Sequence, residues 1–285
     1  MNICQNVEQL RSSLSYWRDK KETIAFVPTM GGLHDGHLSL VKIAQNSASR
    51  VVVSIYVNPL QFSPDEDFSS YPRTLEADLD KLKALGVDLV FTPDDSMIYP
   101  RGEDQSAYND VPVLFDIIEG QFRPGFFQGV ATVVLRLFNM VEPDVAVFGE
   151  KDFQQLLVIK KLVEDYNLPI KIIGGETKRE PDGLAMSSRN NYLSDSERGE
   201  SKLLAEALHI FRNQIKQGID IKRAEMSCME TLEKHGFLVD YVTLRETSSL
   251  NVVSDDEIVN NKELVVLAAA KLGNTRLIDN LKFVV

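Results

Sequence analysis

Cysteine, histidine and tryptophan are scarce in this chain of 285 residues, which contains 2, 4 and 1 of them. Two cysteines that lie far apart, Cys4 and Cys228, give no disulfide framework, which indicates a reducing compartment. Together with His209 and His235 they form no cluster with metal-ligand spacing, so we expect no zinc site. No apolar run is long enough to span a bilayer, and the N-terminal residues lack the apolar region of a signal peptide. These absences predict a cytoplasmic protein that does not associate with membranes.

Positive charge is also in short supply, with 31 Lys and Arg against 42 Asp and Glu and a net charge of -11. This balance argues against broad binding to nucleic acid or anionic membranes, so any phosphate ligand must meet local cations. The chain has no GxGxxG and no GxxxxGK[ST], which excludes the glycine fingerprints of dinucleotide-binding and P-loop proteins. With 44% hydrophobic residues, the chain can bury a sizeable core in one large or two modest domains.

The segment Thr29–His37 holds three glycines and two histidines between a predicted strand, Thr23–Val27, and a predicted helix over Leu38–Ala44. Glycines let backbone N–H groups approach a phosphate, and the positive end of the helix dipole attracts the same anion. His34 and His37, at i and i+3, would add two imidazole donors. Alternatives are half of a metal site, or two unrelated polar residues at a helix start. The segment is similar to the HxGH signature of the nucleotidylyltransferase superfamily, which implies attack on the α-phosphate of ATP.

Short apolar runs alternate with helical patterns along the first part of the chain, which predicts right-handed β-α crossovers and a Rossmann-like parallel sheet. A predicted helix over residues 5–20 precedes predicted strands at Thr23–Val27, Val51–Val57, Val87–Phe91, Asp144–Phe148 and Ile170–Ile173, with helices over Leu38–Ala44, Thr74–Leu85, Ala131–Met140 and Phe153–Tyr166. Beyond a predicted linker, Gly174–Gly183, come helices over Ser196–Lys216 and Arg223–His235 and strands at Val239–Arg245, Glu263–Ala270 and Leu277–Phe283. The expected fold class is α/β: a Rossmann-like domain, residues 1–177, and a smaller C-terminal α+β lid domain, residues 178–285, that meet over a nucleotide site.

Polar residues follow two of the predicted strands. Asn58 and Gln61 come after Val51–Val57, where ligands sit beyond the carboxyl ends of strands in open α/β sheets; a polar turn is the alternative. After the fourth predicted strand, Lys151 would place a point charge on a phosphate. Gln154 and Gln155 fall on the first turn of the next helix, and we expect one of them to face the same cleft.

Three other segments carry candidate functions. Ser187, Ser188 and Arg189 offer two hydroxyls and a guanidinium that suit phosphate oxygens, although such a tripeptide is more often a turn. The polar stretch Pro93–Val111 is a candidate mobile rim or lid. Arg123 is a candidate anion contact at the entrance of a helix, although a lone loop arginine is usually solvated.

Five blocks then occur in the order and spacing of one family. Pro28–His37 matches PTMGxLHxGH, Val57–Phe62 matches VNPxQF, Tyr71–Thr74 matches YPRT, Phe148–Gln155 matches FGEKDxQQ, and Asp182–Asn190 matches DGLAxSSRN. Over essentially its full length the chain therefore resembles the pantothenate synthetase, or pantoate beta-alanine ligase, family. One departure is Phe126, where many relatives carry His in a stretch that belongs to the rim of the cleft.

The resemblance implies a two-step ligation. Pantoate's carboxylate attacks the α-phosphate of Mg-ATP to give pantoyl adenylate and pyrophosphate, and the amine of beta-alanine then displaces AMP to give pantothenate. A carboxylate is already a nucleophile, so the first step rests on positioning and charge stabilisation. The resemblance also implies a homodimer. Mg2+ would ride on the ATP phosphates, with Asp78 a candidate for an added protein ligand.

The site residues implied by the resemblance fall into three groups. Those with catalytic roles are His34, His37, Lys151, Ser187, Ser188 and Arg189, with His37 the nominal proton donor. Those that bind ATP are Met30, Gly31, Gly32, Leu33, His34, Asp35, Gly36, His37, Gly149, Glu150, Lys151, Asp152, Lys178, Met186, Ser187, Ser188 and Arg189. Those that bind pantoate are Asn58, Gln61 and Gln155.

Three other functions fit parts of the pattern. Another HxGH adenylyltransferase that acts on a phosphorylated substrate should line its pocket with cations instead of Asn58, Gln61 and Gln155. A non-catalytic adenylate-binding regulator is expected to lack His37 or Lys151, and both are present. A tRNA synthetase is disfavoured by the acidic net charge and the small second domain.

Overall fold

The computed structural model describes residues 1–64, 66–103, 107–108, 111, 114–258 and 261–285. Contacts within the chain divide it into two compact units. The first comprises Met1–Glu150 and Gln155–Glu176, and the second comprises Lys151–Gln154 and Thr177–Val285.

The first unit is built on a parallel sheet of six strands among the described residues. The strands are β1 (Asn2–Cys4), β2 (Ile24–Thr29), β3 (Arg50–Ile55), β4 (Leu89–Phe91), β5 (Val145–Gly149) and β6 (Lys171–Gly175), and their order across the sheet is β1-β4-β3-β2-β5-β6. The predicted Rossmann-like parallel sheet is confirmed. The edge strand β1 was not predicted, because three residues with no apolar run give no periodic signal and the strand forms by pairing with β4.

Helices cover both faces of this sheet because the central strands are apolar on both sides. The helices of the first unit are α1 (Val7–Asp19), α2 (Asp35–Ser47), α3 (Leu75–Ala84), α4 (Asp95–Ile98), α5 (Glu119–Phe122), α6 (Phe126–Val141) and α7 (Phe153–Asp165, whose first two residues belong to the second unit). Ala25 and Val27 of β2 pack in one cluster with Val41 of α2. Phe26, between them, points to the other face, where its ring lies 6.3 Å from that of Phe138 on α6. This packing fixes the sheet edge from which the loops of interest emerge.

The second unit packs helices against a three-stranded antiparallel sheet among its described residues. Its elements are α8 (Asp195–Ser201), α9 (Leu203–Lys216), α10 (Ile221–Lys234), β7 (Phe237–Glu246), β8 (Glu263–Leu272) and β9 (Thr275–Val284). The predicted α+β character is confirmed. The single helix predicted over Ser196–Lys216 is wrong, because the helix is interrupted at Lys202. Just before the interruption the buried Ser201 hydroxyl donates to the Arg198 carbonyl at 2.8 Å, a back-bond that bends helices.

Two other segments differ from expectation or fall partly outside the description. The predicted linker begins too early, since Gly174 and Gly175 lie within β6. A Cβ atom on Gly175 would meet Leu40 Cδ2 at 2.3 Å, so this glycine admits α2 against the strand and does not mark a flexible link. Of the predicted rim, Pro93–Val111, the described part begins with α4, and residues 104–106 and 109–110 lie outside the described residues. No helix in the described part of the chain is long and apolar enough to cross a bilayer.

Candidate active site

The turn from β2 into α2 has a backbone that requires glycine. Gly31 and Gly32 have φ angles of 85° and 61°, which side-chain-bearing residues rarely adopt. A Cβ atom on Gly31 would also meet Ile55 Cγ2 at 3.1 Å and Asp78 Oδ2 at 3.2 Å. The turn is therefore packed from below by β3 and by the first turn of α3.

The backbone amides of this turn are turned inward. Gly31 N donates to Thr29 Oγ1 at 3.3 Å, and the amides of Gly32 and Leu33 donate to Asp78 Oδ2 and Oδ1 at 2.9 and 2.8 Å. Protein acceptors thus engage the Gly31 and Gly32 amides in this structure, and an approach of these N–H groups to a phosphate stays a prediction.

His34 and His37 form a reciprocal cap at the start of α2. His34 Nδ1 accepts from Gly36 N at 3.1 Å, and His37 Nδ1 accepts from His34 N at 3.3 Å. The two ring centroids lie 4.1 Å apart. Because Nδ1 of each ring is an acceptor, the neutral imidazole carries its proton on Nε2. Two Nε2 donors thus sit at the positive end of a 13-residue helix, an arrangement suited to an anion.

Asp78 anchors the turn from the side. Its residue surface is 0% exposed, and it also accepts from Thr74 Oγ1 at 3.2 Å. Lys81, one turn further along α3, donates from Nζ to the Leu33 carbonyl at 2.5 Å. The expectation that Asp78 is a candidate Mg2+ ligand is corrected here, because both carboxylate oxygens already hold the loop backbone.

Asn58 and Gln61 lie in the first unit, in the loop after β3 that contains the short 3-10 helix Pro59–Gln61. Asn58 is 1% exposed, and its Nδ2 donates to Gln61 Oε1 at 3.1 Å and to the Gly129 carbonyl at 3.2 Å. The buried Tyr99 hydroxyl donates to Asn58 Oδ1 at 2.6 Å, and burial raises the pKa of Tyr99, which keeps this donor protonated. Asn58 is thus oriented by three partners, and its own contacts orient Gln61.

This arrangement leaves the other end of the Gln61 amide as a donor. Gln61 Nε2 makes no hydrogen bond to any residue that the structure describes, while Gln61 itself is 9% exposed. Gly129 permits the approach of α6 to this loop, because a Cβ atom there would lie 2.2 Å from the Leu60 carbonyl oxygen. A donor that is held firmly and still unpaired within the described chain is a good candidate for substrate recognition.

The Arg123 guanidinium is engaged by carboxylates of the protein. Its guanidinium forms a two-point ion pair with Glu66, at 2.7 Å for both contacts, and lies 3.5 Å from Glu119 Oε1. It also donates to the Gln61 carbonyl at 2.9 Å and stacks 3.7 Å from the centroid of the Phe126 ring. Because two carboxylates already offset the charge of one guanidinium, we reinterpret Arg123, predicted as an anion contact, as a residue that stabilises the Gln61 loop.

The loops that follow β2, β3 and β5 leave the same edge of the first sheet. In the pairing of β2 with β3, Thr29 lies opposite Ile55, and Phe26 lies opposite Ala146 of β5 on the other side. Because all three strands are parallel, Met30–His37, Asn58–Gln61 and Gly149 emerge from their carboxyl ends together. The structure thus brings these first-unit candidates to one edge.

The residues after Gly149 form a 3-10 helix, Glu150–Asp152, that leads into α7. Lys151 Nζ is 4.0 Å from Asp152 Oδ1, and the Lys151 carbonyl accepts from Asn280 Nδ2 at 2.9 Å. Of the two glutamines on the first turn of α7, Gln154 is 4% exposed, whereas Gln155 is partly exposed. Gln155 is therefore the better placed of the two to meet a ligand.

The remaining second-unit candidates flank a tight hairpin. Met186 N donates to the Lys178 carbonyl at 2.9 Å, and Arg179 and Ala185 form an antiparallel bridge between them. Ser187 then caps the 3-10 helix Ser188–Tyr192 by accepting from Arg189 N at 3.3 Å. The sequence predicted Lys178 and Met186–Arg189 as separate segments, and the structure joins them through this hairpin.

Sequence reasoning missed the residues that hold the site in place. Tyr99 and Gly129 contact Asn58, Asn280 contacts Lys151, and Asp279 contacts Arg179 of the hairpin, each over a large separation along the chain. Such supporting residues give almost no signal in the sequence, since even the burial of Asp78 is visible only in the structure.

Comparisons with known proteins identify the family. The family model described as pantoate-beta-alanine ligase matches residues 2–282. A pantothenate synthetase of Shewanella woodyi is 50% identical over 283 residues, 99% of each chain. The crystal structure of pantothenate synthetase from Thermus thermophilus is 43% identical with a TM-score of 0.90 and covers 99% of both chains. The pantoate-beta-alanine ligase from Francisella tularensis, complexed with beta-gamma ATP and beta-alanine, is 34% identical with a TM-score of 0.81, over 99% of this chain and 97% of that one. The chain belongs to the pantoate-beta-alanine ligase family.

Proposed function

We propose that this enzyme joins pantoate to beta-alanine in two chemical steps that share one ATP. In the first step a pantoate carboxylate oxygen bonds to the α-phosphorus of ATP, the bond from that phosphorus to the bridging oxygen breaks, and pyrophosphate leaves. In the second step the amine of beta-alanine bonds to the acyl carbon of pantoyl adenylate, the acyl–oxygen bond breaks, and AMP leaves. The amine loses its proton in this step, and the products are pantothenate and AMP.

The observation that carries this proposal is the pair of imidazoles at the start of α2. His34 and His37 accept backbone hydrogens at Nδ1, so their neutral rings present Nε2 donors. Negative charge grows on the bridging oxygen as pyrophosphate departs, and fixed donors at that point lower the barrier without reorganising. We assign both histidines to stabilisation of this charge through hydrogen bonds; proton transfer from His37, its nominal role in the family, would require the imidazolium form.

The cationic donors for the phosphates come from the second unit in this proposal. Lys151 contributes a point charge, and Ser187, Ser188 and Arg189 contribute two hydroxyls and a guanidinium. Met30, Gly149, Lys178 and Met186, together with Asp152, would hold the adenosine. The family resemblance supports these assignments, and the hairpin between Lys178 and Met186 supports their joint action.

Pantoate would be recognised by neutral amides. Its hydroxyls and carboxylate accept hydrogen bonds, and Gln61 Nε2 is a positioned donor with no partner in the described chain. Gln155 would add a second amide. Asn58 takes a different part from the one expected, because its donor and acceptor are engaged by Gln61, Gly129 and Tyr99. We assign it to positioning Gln61.

Mg2+ would enter with ATP, held by phosphate oxygens, and would neutralise part of their charge. Among the residues that the structure describes, no group of three or more His, Cys, Asp or Glu side chains is arranged to hold a metal ion. The Asp78 carboxylate accepts from two amides of the turn. The imidazoles of the turn therefore fit a Mg2+ ion that is coordinated by the ATP phosphates, with the protein binding the nucleotide.

Two further assignments rest on the family resemblance and composition. We propose a homodimer, which a monomer mass from light scattering at micromolar concentration would contradict. We also propose a cytoplasmic location, which is supported by two buried cysteines that form no disulfide. Export of the full chain with a fluorescent tag would contradict it.

The direct experiment is pyrophosphate release by the purified protein. We expect release to require both pantoate and ATP and to occur without beta-alanine, at about one pyrophosphate per active site. Turnover beyond that first equivalent should require beta-alanine. Release with a phosphorylated acceptor in place of pantoate would favour another HxGH adenylyltransferase, and ATP binding without any release would indicate an adenylate-binding regulator.

A further inference from the structure

Two adjacent residues of β9 grip both predicted ATP-binding segments of the second unit. Asp279 is 3% exposed and Asn280 is 6% exposed, so both are buried polar groups in the last strand. A polar side chain can be buried at little cost in free energy when hydrogen bonds to protein groups replace those it made to water. Their partners lie in the hairpin between Lys178 and Met186 and at Lys151.

Asp279 holds the hairpin through Arg179. The guanidinium pairs with Asp279 Oδ2 and Oδ1 at 2.7 and 3.0 Å. The same guanidinium donates to the Gly183 carbonyl at 3.0 Å and to the Asn280 carbonyl at 3.2 Å. One arginine therefore ties the first arm and the turn of the hairpin to β9, and the hairpin leads directly into Ser187.

Asn280 holds the other segment. Its Nδ2 donates to the Lys151 carbonyl at 2.9 Å, and its own backbone N–H donates to Asp279 Oδ1 at 2.7 Å. The two grips are thus linked to each other through one carboxylate oxygen. Consecutive residues of β9 therefore hold both the Lys151 backbone and the hairpin, and Asn280 lies 129 positions beyond Lys151 along the chain.

We propose that Asn280 and Asp279 are positioning residues that set Lys151 against the Ser187–Arg189 segment, so that the phosphate donors of the second unit are arranged before ATP binds. This inference rests on the proposed function of Lys151. Positioning of this kind matters because a displacement of about 1 Å at a reacting group can cost on the order of 100-fold in rate. Neither residue need touch the nucleotide.

The test is a double-mutant cycle between Asn280→Ala and Lys151→Ala, read in single-turnover formation of pantoyl adenylate. We expect Asn280→Ala to lower the rate at least 10-fold and to leave the KM for pantoate within 2-fold. In the Lys151→Ala background it should change the rate by less than 2-fold, because the side chain it positions is gone. Asn251→Ala, an exposed asparagine of the same unit, is the matched control and should behave as wild type.

A purely structural role would give a different pattern, in which the effects of the two substitutions multiply or Asn280→Ala turns over normally. Either result overturns the proposal. Asn280→Asp keeps the side-chain volume, replaces the donor with an acceptor that repels the Lys151 carbonyl, and should match Asn280→Ala if the latter folds poorly.

Hydrogen exchange separates this inference from the proposed function, because it needs no activity. In Asn280→Ala without nucleotide, we expect peptides that cover residues 150–155 to exchange at least 5-fold faster, with no change in peptides from β8. Unchanged exchange at 150–155 would overturn the proposal even in an active enzyme. Faster exchange there in a protein that forms no pantoyl adenylate would support the positioning and contradict the proposed function alone.

Discussion

Replacement of Asp78 tests whether the turn after β2 is held from the side. Its carboxylate accepts from Gly32 N, Leu33 N and Thr74 Oγ1, at 2.9, 2.8 and 3.2 Å, in a residue that is 0% exposed. Asp78→Ala leaves two loop amides without an acceptor. An orphaned buried donor costs roughly 1–3 kcal/mol, so the free energy of unfolding should fall by about 2–6 kcal/mol. That is a large fraction of the roughly 5–15 kcal/mol typical of a domain.

Asp78→Asn should cost less. It retains one oxygen acceptor and turns its amide toward one loop N–H, so about 1–3 kcal/mol should be lost. The order of stability is therefore wild type, then Asp78→Asn, then Asp78→Ala. Asp80→Asn, an exposed position on the same helix, is the matched control and should stay within about 0.5 kcal/mol of wild type.

Urea unfolding followed by Trp17 fluorescence measures this directly. Trp17 is the one tryptophan of the chain, is 6% exposed, and lies on α1 in the same unit as Asp78. A kcat/KM for ATP that falls on the order of 100-fold should accompany the loss of stability, because the histidines follow the turn. Wild-type stability with activity rescued by added Mg2+ would refute this reasoning and restore Asp78 as a metal ligand.

Three further predictions concern chemistry, selectivity and pH. His37→Ala and Lys151→Ala should each lower kcat on the order of 100-fold with a much smaller effect on ATP affinity, measured by single-turnover adenylate formation on protein checked by circular dichroism. Gln61→Ala and Gln155→Ala should raise the KM for pantoate far more than that for ATP in steady-state assays, since each removes a hydrogen bond worth roughly 0.5–1.5 kcal/mol. A hydrogen bond from the Arg198 guanidinium lowers the pKa of Asp182 below its ordinary 3.8, so Asp182→Asn should lower the Tm at pH 7. Because a lowered pKa gives stability that is present above 3.8 and lost as the pH falls through the folded value, this difference in Tm should close below pH 3.8.

Each of these has an outcome that contradicts it. Normal adenylate formation by folded His37→Ala or Lys151→Ala would exclude the assigned roles, and a defect confined to the beta-alanine step would move His37 to the second step. Equal changes in both KM values would misplace the pantoate pocket at Gln61. A Tm difference for Asp182→Asn that persists at pH values well below the folded pKa would mean that the carboxylate charge is not its source.

The parts of the fold that could be predicted are those with local signals. The run Val51–Val53 is apolar without interruption because the strand is covered on both faces, and such a run needs no knowledge of its neighbours. The missed strand β1 depends on pairing with Leu89–Phe91, far along the chain, and has no pattern of its own. Gly175 was taken as part of a linker for a related reason, because the sequence does not show that a glycine is needed there to let Leu40 pack against the strand.

The candidate site divides in the same way. His34 and His37 could be found because their spacing and the adjoining glycines lie within nine residues. The direction of the loop amides could not, because their acceptor, Asp78, is 45 positions beyond Leu33. Asn58 was singled out because it follows a predicted strand, but its burial and its contacts with Tyr99 and Gly129 could not be inferred from the sequence.

The two-step mechanism is tested most directly by the fate of a carboxylate oxygen. Pantoate labelled with 18O in its carboxylate is converted to pantothenate with ATP and beta-alanine, and the phosphorus-containing products are analysed by mass spectrometry. We predict that one labelled oxygen appears in AMP and none in pyrophosphate, because the carboxylate attacks the α-phosphorus and the acyl–oxygen bond breaks in the second step. Label in inorganic phosphate or pyrophosphate, or AMP without label, would contradict the adenylate mechanism.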